Sequence, residues 1–248
     1  MKINEILEKG FSEMGIESDE KRIDALIKYS ELLVEWNEKM NLTAITQESD
    51  IAIKHFLDSA SAFLTGKVGK SVIDVGTGAG FPGLVLKILR PDIKMTLLDS
   101  LKKRITFLDE VISQTRLENI ETVHSRAEDG GKNPKYREKY DTAVSRAVAN
   151  LTLLAELCLP YVKVGGYFLA LKGPAADEEL QAAKKTISIL GGAVEGIFDA
   201  KIPMLDASHK IIIIKKVRQT PIKYPRNPAK IAKSPVEQCY NIRKKAVK

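Results

Sequence analysis

The sequence predicts an α/β protein, a doubly wound and mainly parallel sheet of seven strands with an N-terminal helical extension. Three observations predict it. After Gly69, short apolar runs alternate with stretches of helical periodicity, the pattern of a parallel sheet with crossover helices. The first of these runs opens directly into a glycine-rich turn. The last two follow each other with no helical pattern between them, as an antiparallel closing pair does. The 248 residues suffice for a full core without staples, and 44% apolar with 29% charged residues excludes a disordered or fibrous chain.

The first 66 residues read as helices. Ile23, Leu26, Ile27, Ser30, Leu33, Val34 and Asn37 fall at i, i+3, i+4 spacing, and Glu48 to Leu64 carries Ile51, Ile53, Phe56, Leu57, Ala60 and Phe63 as an apolar set. Asn41 or Thr43, between them, is expected to cap a helix. Strands are expected at 71–75, 94–98, 120–124, 140–145, 166–171, 193–198 and 210–217. Helices are expected from the glycine turn to about Arg90 and over 101–114, 150–159 and 175–190. Residues 67–218 thus form the sheet domain, and 219–248, with Pro221, Pro225, Pro228 and Pro235, an extended basic arm.

Charge is unevenly spread. From Lys210 to Lys248 there are twelve Lys and Arg against one acid, so of the net +7 the remainder of the chain holds −4. A mildly acidic body with a basic end points to a polyanionic partner, nucleic acid above all. No apolar run reaches the roughly 20 residues of a membrane helix, and the first residues lack the apolar core of a signal peptide. Two cysteines and three histidines show no disulfide or metal spacing. A cytoplasmic monomer without metal is expected.

The turn Asp74-Val-Gly76-Thr-Gly78-Ala-Gly80-Phe81-Pro82-Gly83 admits two readings. Gly78-x-Gly80-x-x-Gly83 matches a dinucleotide fingerprint. Asp74-x-Gly76-x-Gly78-x-Gly80 matches the turn of S-adenosylmethionine-dependent methyltransferases. Asp99, at the end of the second strand, suits ribose hydroxyls in either case. Three features favour the methyl donor. Asp74 can organise the turn and accompany a cationic ligand, whereas it would repel a pyrophosphate. Ser125-Arg126-Ala127-Glu128 follows the third strand, where an adenine could be held. The closing strand pair is typical of methyltransferase sheets.

A finer resemblance rests on Asn41-Leu42-Thr43, His55-Phe56-Leu57-Asp58-Ser59, Val72 to Gly83, Leu97 to Arg104, Glu118-Asn119-Ile120, Ser145-Arg146-Ala147 and Leu171-Lys172-Gly173, in that order. Together they resemble the bacterial small-subunit ribosomal RNA methyltransferase G family, also called glucose-inhibited division protein B, over roughly residues 20–230. The resemblance implies methylation of guanine N7, at position 527 of 16S ribosomal RNA, with S-adenosylmethionine as cofactor and S-adenosylhomocysteine as product. It places Gly76 and Phe81, with Gly78 of the same turn, Ala127, Glu128 and Arg146 at the donor, and Asp99 and Ser100 at its ribose.

Guanine N7 has a free lone pair and needs no base, so alignment and exclusion of water are the expected devices. The parts of other methylations are missing. Ser145-Arg146-Ala147-Val148 stands where amine methylation uses Asn/Asp-Pro-Pro-aromatic, Cys158 reads as core, and Cys239 has no evident base. Arg146 is expected to hold the donor's carboxylate or a phosphate, or else to pair with a surface acid. His55 and Asp58, three apart, are expected to share a structural hydrogen bond. Lys102-Lys103-Arg104 opens a helix against its dipole, which favours an RNA-facing role. Lys172, Arg226, Lys230 and Lys233 are the candidate RNA contacts. A nicotinamide-dependent dehydrogenase, a non-catalytic RNA-binding assembly factor and a small-molecule methyltransferase are the alternatives.

Overall fold

The computed structural model describes residues 1–146, 149–206, 209–233 and 236. Its single sheet has seven strands: β1 (Ser71–Val75), β2 (Lys94–Asp99), β3 (Ile120–His124), β4 (Tyr140–Arg146), β5 (Val162–Lys172), β6 (Gly192–Ala200) and β7 (His209–Lys216). Their order is β3-β2-β1-β4-β5-β7-β6. Strands β1 to β5 pair in parallel, and β7 runs antiparallel to both β5 and β6. The predicted closing pair is therefore present. Central strands are apolar on both faces, as burial on both sides demands: Val72, Ile73 and Val75 in β1 and Ile211 to Ile214 in β7 are all buried. The chain winds one way from β1 to β3 and the other way from β4 to β5. The crevice at the carboxyl ends of β1 and β4 is where such sheets bind ligands.

Helices α5 (Gly83–Leu89), α6 (Lys102–Gln114), α8 (Leu151–Cys158) and α9 (Ala176–Ile189) connect the strands close to their predicted bounds, and a short helix that was not predicted, α7 (Ala127–Gly130), follows β3. Pro82 is the N-cap of α5, one place earlier than its expected position in the first turn.

The N-terminal region contains α1 (Ile3–Glu13) and α2 (Glu20–Met40). Asp19 caps α2 by accepting from the Arg22 amide, and Asn41 closes it in the left-handed conformation at φ 49°. The predicted helix over 48–64 is wound irregularly. It passes through α3 (Glu48–Ile51), a π-helical segment (Ala52–Leu57), α4 (Asp58–Ala60) and a 3₁₀ turn (Ser61–Thr65). Periodicity alone cannot register such a widened turn, and turns of this kind often mark functional sites.

The core has two parts, one on each face of the sheet. The first unites Leu7, Phe11, Leu26, Tyr29, Leu33 and Phe56 of the N-terminal helices with all of α5's apolar side chains and Phe107 of α6. The second holds Cys158, Tyr161, Phe168, Ile212 and Tyr224. The boundary at residue 66 is thus one of chain order, not of packing.

The segment after β7 is docked rather than simply extended. Arg137 donates to the carbonyls of Thr220 at 2.7 Å and Tyr224 at 2.9 Å. Lys216, fully buried, donates to the carbonyls of Leu159 and Val162 and to Thr220 Oγ1, and lies 3.1 Å from Glu138. Burial pushes its ammonium down to about 8. A six-residue helix, α10 (Pro228–Lys233), follows.

Candidate functional site

The glycine turn after β1 is held from four directions. The amides of Gly76 and Thr77 donate to the Leu98 carbonyl at the end of β2. Gly78, at φ 63°, donates its amide to Asp99 Oδ2 at 3.0 Å. Gly80 lies at φ 104°, where a side chain would strain the backbone and its Cβ would come within 2.6 Å of the Tyr29 hydroxyl. Asp74 Oδ2 accepts from Thr77 Oγ1 at 2.7 Å and from the Gly83 amide at 2.8 Å, so the strand acid organises the turn as expected. Its Oδ1 is buried without a partner among the described residues. Burial pushes the Asp74 carboxyl up to about 7.

Asp99 is buried at the end of β2. Its second oxygen accepts from the Leu101 amide at 2.9 Å, and Arg104 approaches Oδ2 at 3.3 Å. Arg104 therefore faces inward, and Lys103 donates to the Met40 carbonyl of α2 at 3.2 Å. Arg104 thus departs from the RNA-facing role expected of the three cations that open α6, while Lys102 and Lys103 are exposed.

These strand ends enclose a cavity of about 500 Å³. All eight candidate donor residues line it: Gly76, Gly78, Phe81, Asp99, Ser100, Ala127, Glu128 and Arg146. Four neighbouring strand ends contribute, those of β3, β2, β1 and β4, which is why residues from four separate motifs converge. Thr43 and His55 line it as well, and the pattern of the sequence did not place them there.

Arg146 ends β4 with its guanidinium largely buried. One nitrogen, Nη1, donates to Asp58 Oδ2 at 2.6 Å and to the Lys54 carbonyl at 3.2 Å. The other, Nη2, donates to His55 Nδ1 at 3.2 Å. The alternative expectation for Arg146 was a surface acid, but the acid it pairs with, Asp58, is buried, 6% exposed. Its other oxygen lies 2.7 Å from His209 Nδ1. Burial raises the Asp58 carboxyl, but His209 and Arg146 outweigh it and hold the group below its usual range. His55 and Asp58 do not bond each other directly, as was expected. They meet through Arg146, because the π turn sets them on either side of it.

The guanidinium also sits 4.9 Å from the Phe81 ring centroid, and the His55 ring stacks on Phe81 at 4.4 Å. Burial, then Arg146, pushes the His55 imidazole down to about 4, so it is neutral at pH 7. Arginine can only donate, so Nδ1 accepts and the proton lies on Nε2, 2.9 Å from Thr43 Oγ1. The approach of Nδ1 to the Lys54 carbonyl, 3.2 Å, cannot then be a second bond. On the opposite side, Tyr29 of α2 stacks on Phe81 at 5.4 Å and donates its hydroxyl to the Ala79 carbonyl. The apolar spacing read from the sequence does not include Tyr29, which is buried here. Only its partner, fifty residues away, makes it part of the site.

The candidate RNA contacts divide. Lys172 pairs with Glu179 at 2.8 Å and donates to the Ala149 carbonyl, with its side chain 7% exposed. Arg226 is gripped by the buried Glu156 carboxylate at 2.6 and 2.8 Å. Neither presents its charge outward as a phosphate clamp would. The pairing partners, Glu179 on α9 and Glu156 on α8, give the physical reason. Lys230 is exposed on α10. The side chain of Lys233, and Cys239, lie outside the described residues. Cys158 is core, its thiol pushed up by burial, so no thiolate nucleophile is available in this part of the chain.

Among the described residues, no helix is long and apolar enough to cross a membrane. The family model described as "rRNA small subunit methyltransferase G" matches residues 22–209. A ribosomal RNA small subunit methyltransferase G of Alkaliphilus oremlandii is 53% identical over 239 residues, 96% of this chain and all of that protein. The protein of the same name from Clostridium novyi is 52% identical over 94% of this chain and 96% of its own. Among solved structures, the geranyl diphosphate C-methyltransferase of Streptomyces coelicolor superposes with a TM-score of 0.52 at 14% identity, over 76% of this chain and 98% of that one. A 16S rRNA (adenine(1408)-N(1))-methyltransferase from Catenulisporales acidiphilia gives a TM-score of 0.50 at 13% identity, over 66% and 93%. These two bear on the fold alone.

Proposed function

The chain belongs to the rRNA small subunit methyltransferase G family, and from that membership and the cavity we infer that it methylates guanine N7 in small-subunit ribosomal RNA with S-adenosylmethionine. The observation that carries this is the convergence of eight candidate donor residues on one cavity at the strand-order reversal. The cavity fits a nucleoside joined to a charged amino acid. Asp99 and Ser100 offer oxygens for ribose hydroxyls, Ala127 and Glu128 flank an adenine, and the glycine turn brings backbone close to the ligand. Arg146 keeps its Nε–H and one Nη2–H uncommitted among the described residues, a fork for the donor's carboxylate. The dehydrogenase reading of Gly78, Gly80 and Gly83 falls with the family. Gly83 serves packing instead, for a Cβ there would meet Leu97 at 2.5 Å and Asp74 at 2.8 Å.

Bound here, the cofactor supplies a methyl group on a sulfonium; the N7 lone pair forms the new N–C bond as the C–S bond breaks, its electron pair returning to sulfur. No proton leaves the purine, so the chain needs no general base. Its residues orient and exclude. Phe81, His55 and Tyr29 build an apolar stack that keeps water from the reacting line. Neutral His55 and the Arg146–Asp58 pair leave that wall without net charge, so a sulfonium bound beside it and the cationic product would both meet little repulsion there. Exposed Lys230 and the charge of the C-terminal segment attract RNA.

The test is transfer of labelled methyl from S-adenosylmethionine to small ribosomal subunits from a strain lacking the gene, with the modified nucleotide then mapped. A single N7-methylated guanine is the expected outcome. Label on a different atom, or none, would overturn the assignment.

A further inference from the structure

His209 lies outside the donor cavity, as does Asp58, yet the two are bonded to a residue that lines it. The sheet sets the place of His209. Arg146 of β4 is in register with Leu171 of β5, and Leu171 with Ile211 of β7. Register partners in neighbouring strands point to one face, and side chains alternate along a strand. His209, two residues before Ile211, therefore shares the face of Arg146. That face carries the N-terminal helices, for Leu171 and Ile211 belong to their core cluster. There the irregular helix delivers Asp58 between the two strands. Its Oδ2 accepts from Arg146 Nη1 at 2.6 Å, and its Oδ1 accepts from His209 Nδ1 at 2.7 Å.

A carboxylate held by one oxygen can still turn about its Cβ–Cγ bond, a soft torsion. Held by both oxygens, from β4 on one side and β7 on the other, it cannot. The ionised carboxylate only accepts, so Nδ1 of His209 carries the hydrogen. The other hold on the guanidinium, from Nη2 to His55 Nδ1, is longer at 3.2 Å, so the Asp58 side sets its position. We propose that His209 is a positioning residue for the methyl donor: by fixing the Asp58 carboxylate it fixes the Arg146 guanidinium, and with it the fork offered to the donor's carboxylate. The inference rests on the role given to Arg146 above. It extends the site to β7, two strands away from the glycine turn's neighbour β4. Such outer support keeps a binding fork within the narrow geometry that its ligand requires.

The full-length variants His209→Leu, His209→Gln and His209→Asn separate this role from a merely structural one. Asparagine can place an amide N–H where Nδ1 stands, glutamine carries its amide one carbon further, and leucine donates nothing. Each is titrated with S-adenosylhomocysteine and with 5′-methylthioadenosine, which lacks the amino-acid carboxylate, and thermal melting is read alongside. His209→Leu should weaken S-adenosylhomocysteine about fivefold or more, leave 5′-methylthioadenosine within about twofold, and be largely rescued by His209→Asn. In an Asp58→Ala background, His209→Leu should cost less than about twofold further, because both residues act through one carboxylate. Should His209→Leu fail to fold, His209→Gln supplies the same comparison. A folded variant that binds both ligands as the parent does overturns the proposal. So do equal losses of the two ligands, an asparagine variant as weak as the leucine one, or a loss undiminished in Asp58→Ala; each would leave His209 only pinning β7 to the helices. If the parent protein binds S-adenosylhomocysteine no more tightly than 5′-methylthioadenosine, the role of Arg146 in the proposed function fails first, and that of His209 with it.

Discussion

The Tyr29 hydroxyl tests whether the N-terminal helices belong to the donor site. Tyr29→Phe removes one oxygen. The ring keeps its contacts with Phe81 at 5.4 Å and Phe56 at 5.3 Å, so packing is preserved. The Ala79 carbonyl, in a residue 5% exposed, loses its donor. Leaving such a buried carbonyl unsatisfied costs about 1–2 kcal/mol. Ala79 lies between Gly78 and Gly80, so the loss falls on the turn that must be ordered to bind. If it is borne by the bound conformation, S-adenosylhomocysteine should bind about 5- to 30-fold more weakly. Isothermal titration reads that change directly, and thermal unfolding alongside it should move by only a few degrees. An affinity within twofold of the parent, with unchanged melting, would refute the reasoning: the bond would then be incidental and the turn self-supporting.

Asp58 should act on the donor through Arg146. Asp58→Ala is expected to weaken S-adenosylhomocysteine at least tenfold yet leave 5′-methylthioadenosine, which lacks the carboxylate, nearly unaffected; equal losses in titration would place Asp58 in a purely structural role. Two groups give opposite pH slopes to stability. His55, depressed to about 4, contributes about 3 kcal/mol that is complete above its unfolded value of 6.5 and lost as pH falls from there toward 4. Asp74, raised to about 7, contributes most below its unfolded value of 3.8 and loses that contribution as pH rises toward 7. Urea denaturation across pH 4–8 should therefore show His55→Gln flattening the acid loss and Asp74→Asn removing the opposing slope; identical profiles in both variants would contradict the assignment. Arg226→Ala should lower stability by about 3 kcal/mol by stranding the buried Glu156, whereas Lys230→Ala should leave melting intact and reduce the salt slope of RNA binding by about one. The reverse pattern in thermal melts and filter binding would return Arg226 to the RNA.

The sheet and the donor cavity were legible because their signals are local. Val72 to Val75 is a buried strand by composition, the glycines after it need left-handed backbone, and Asp99, Glu128 and Arg146 each sit at a strand end that parallel topology gathers. What escaped depends on contacts distant in the chain. Tyr29 falls on the buried face of a regular amphipathic helix and looks like any core tyrosine. Asp58 seemed a partner for His55 because ideal helical spacing puts them together, but the π turn offers both to Arg146, 88 and 91 residues on. Lys172 and Arg226 carry the right charge for RNA, yet Glu179 and Glu156 turn them inward, and no short-range pattern encodes those partners. The basic tail count includes Lys216, which is wholly internal. Net charge is a sum over residues, and it does not say which of them reach solvent.

The continuity of the first core cluster bears on how this chain can be divided. A fragment starting at β1 would keep every strand of the sheet and the whole glycine turn. It would also bare the face of α5 that now rests on the N-terminal helices, and lose the hydroxyl on Ala79, the imidazole on Phe81 and the counter-ion of Arg146. The leading helices are the back half of the binding site supplied from another part of the chain. No minimal catalytic module can be cut out by removing them.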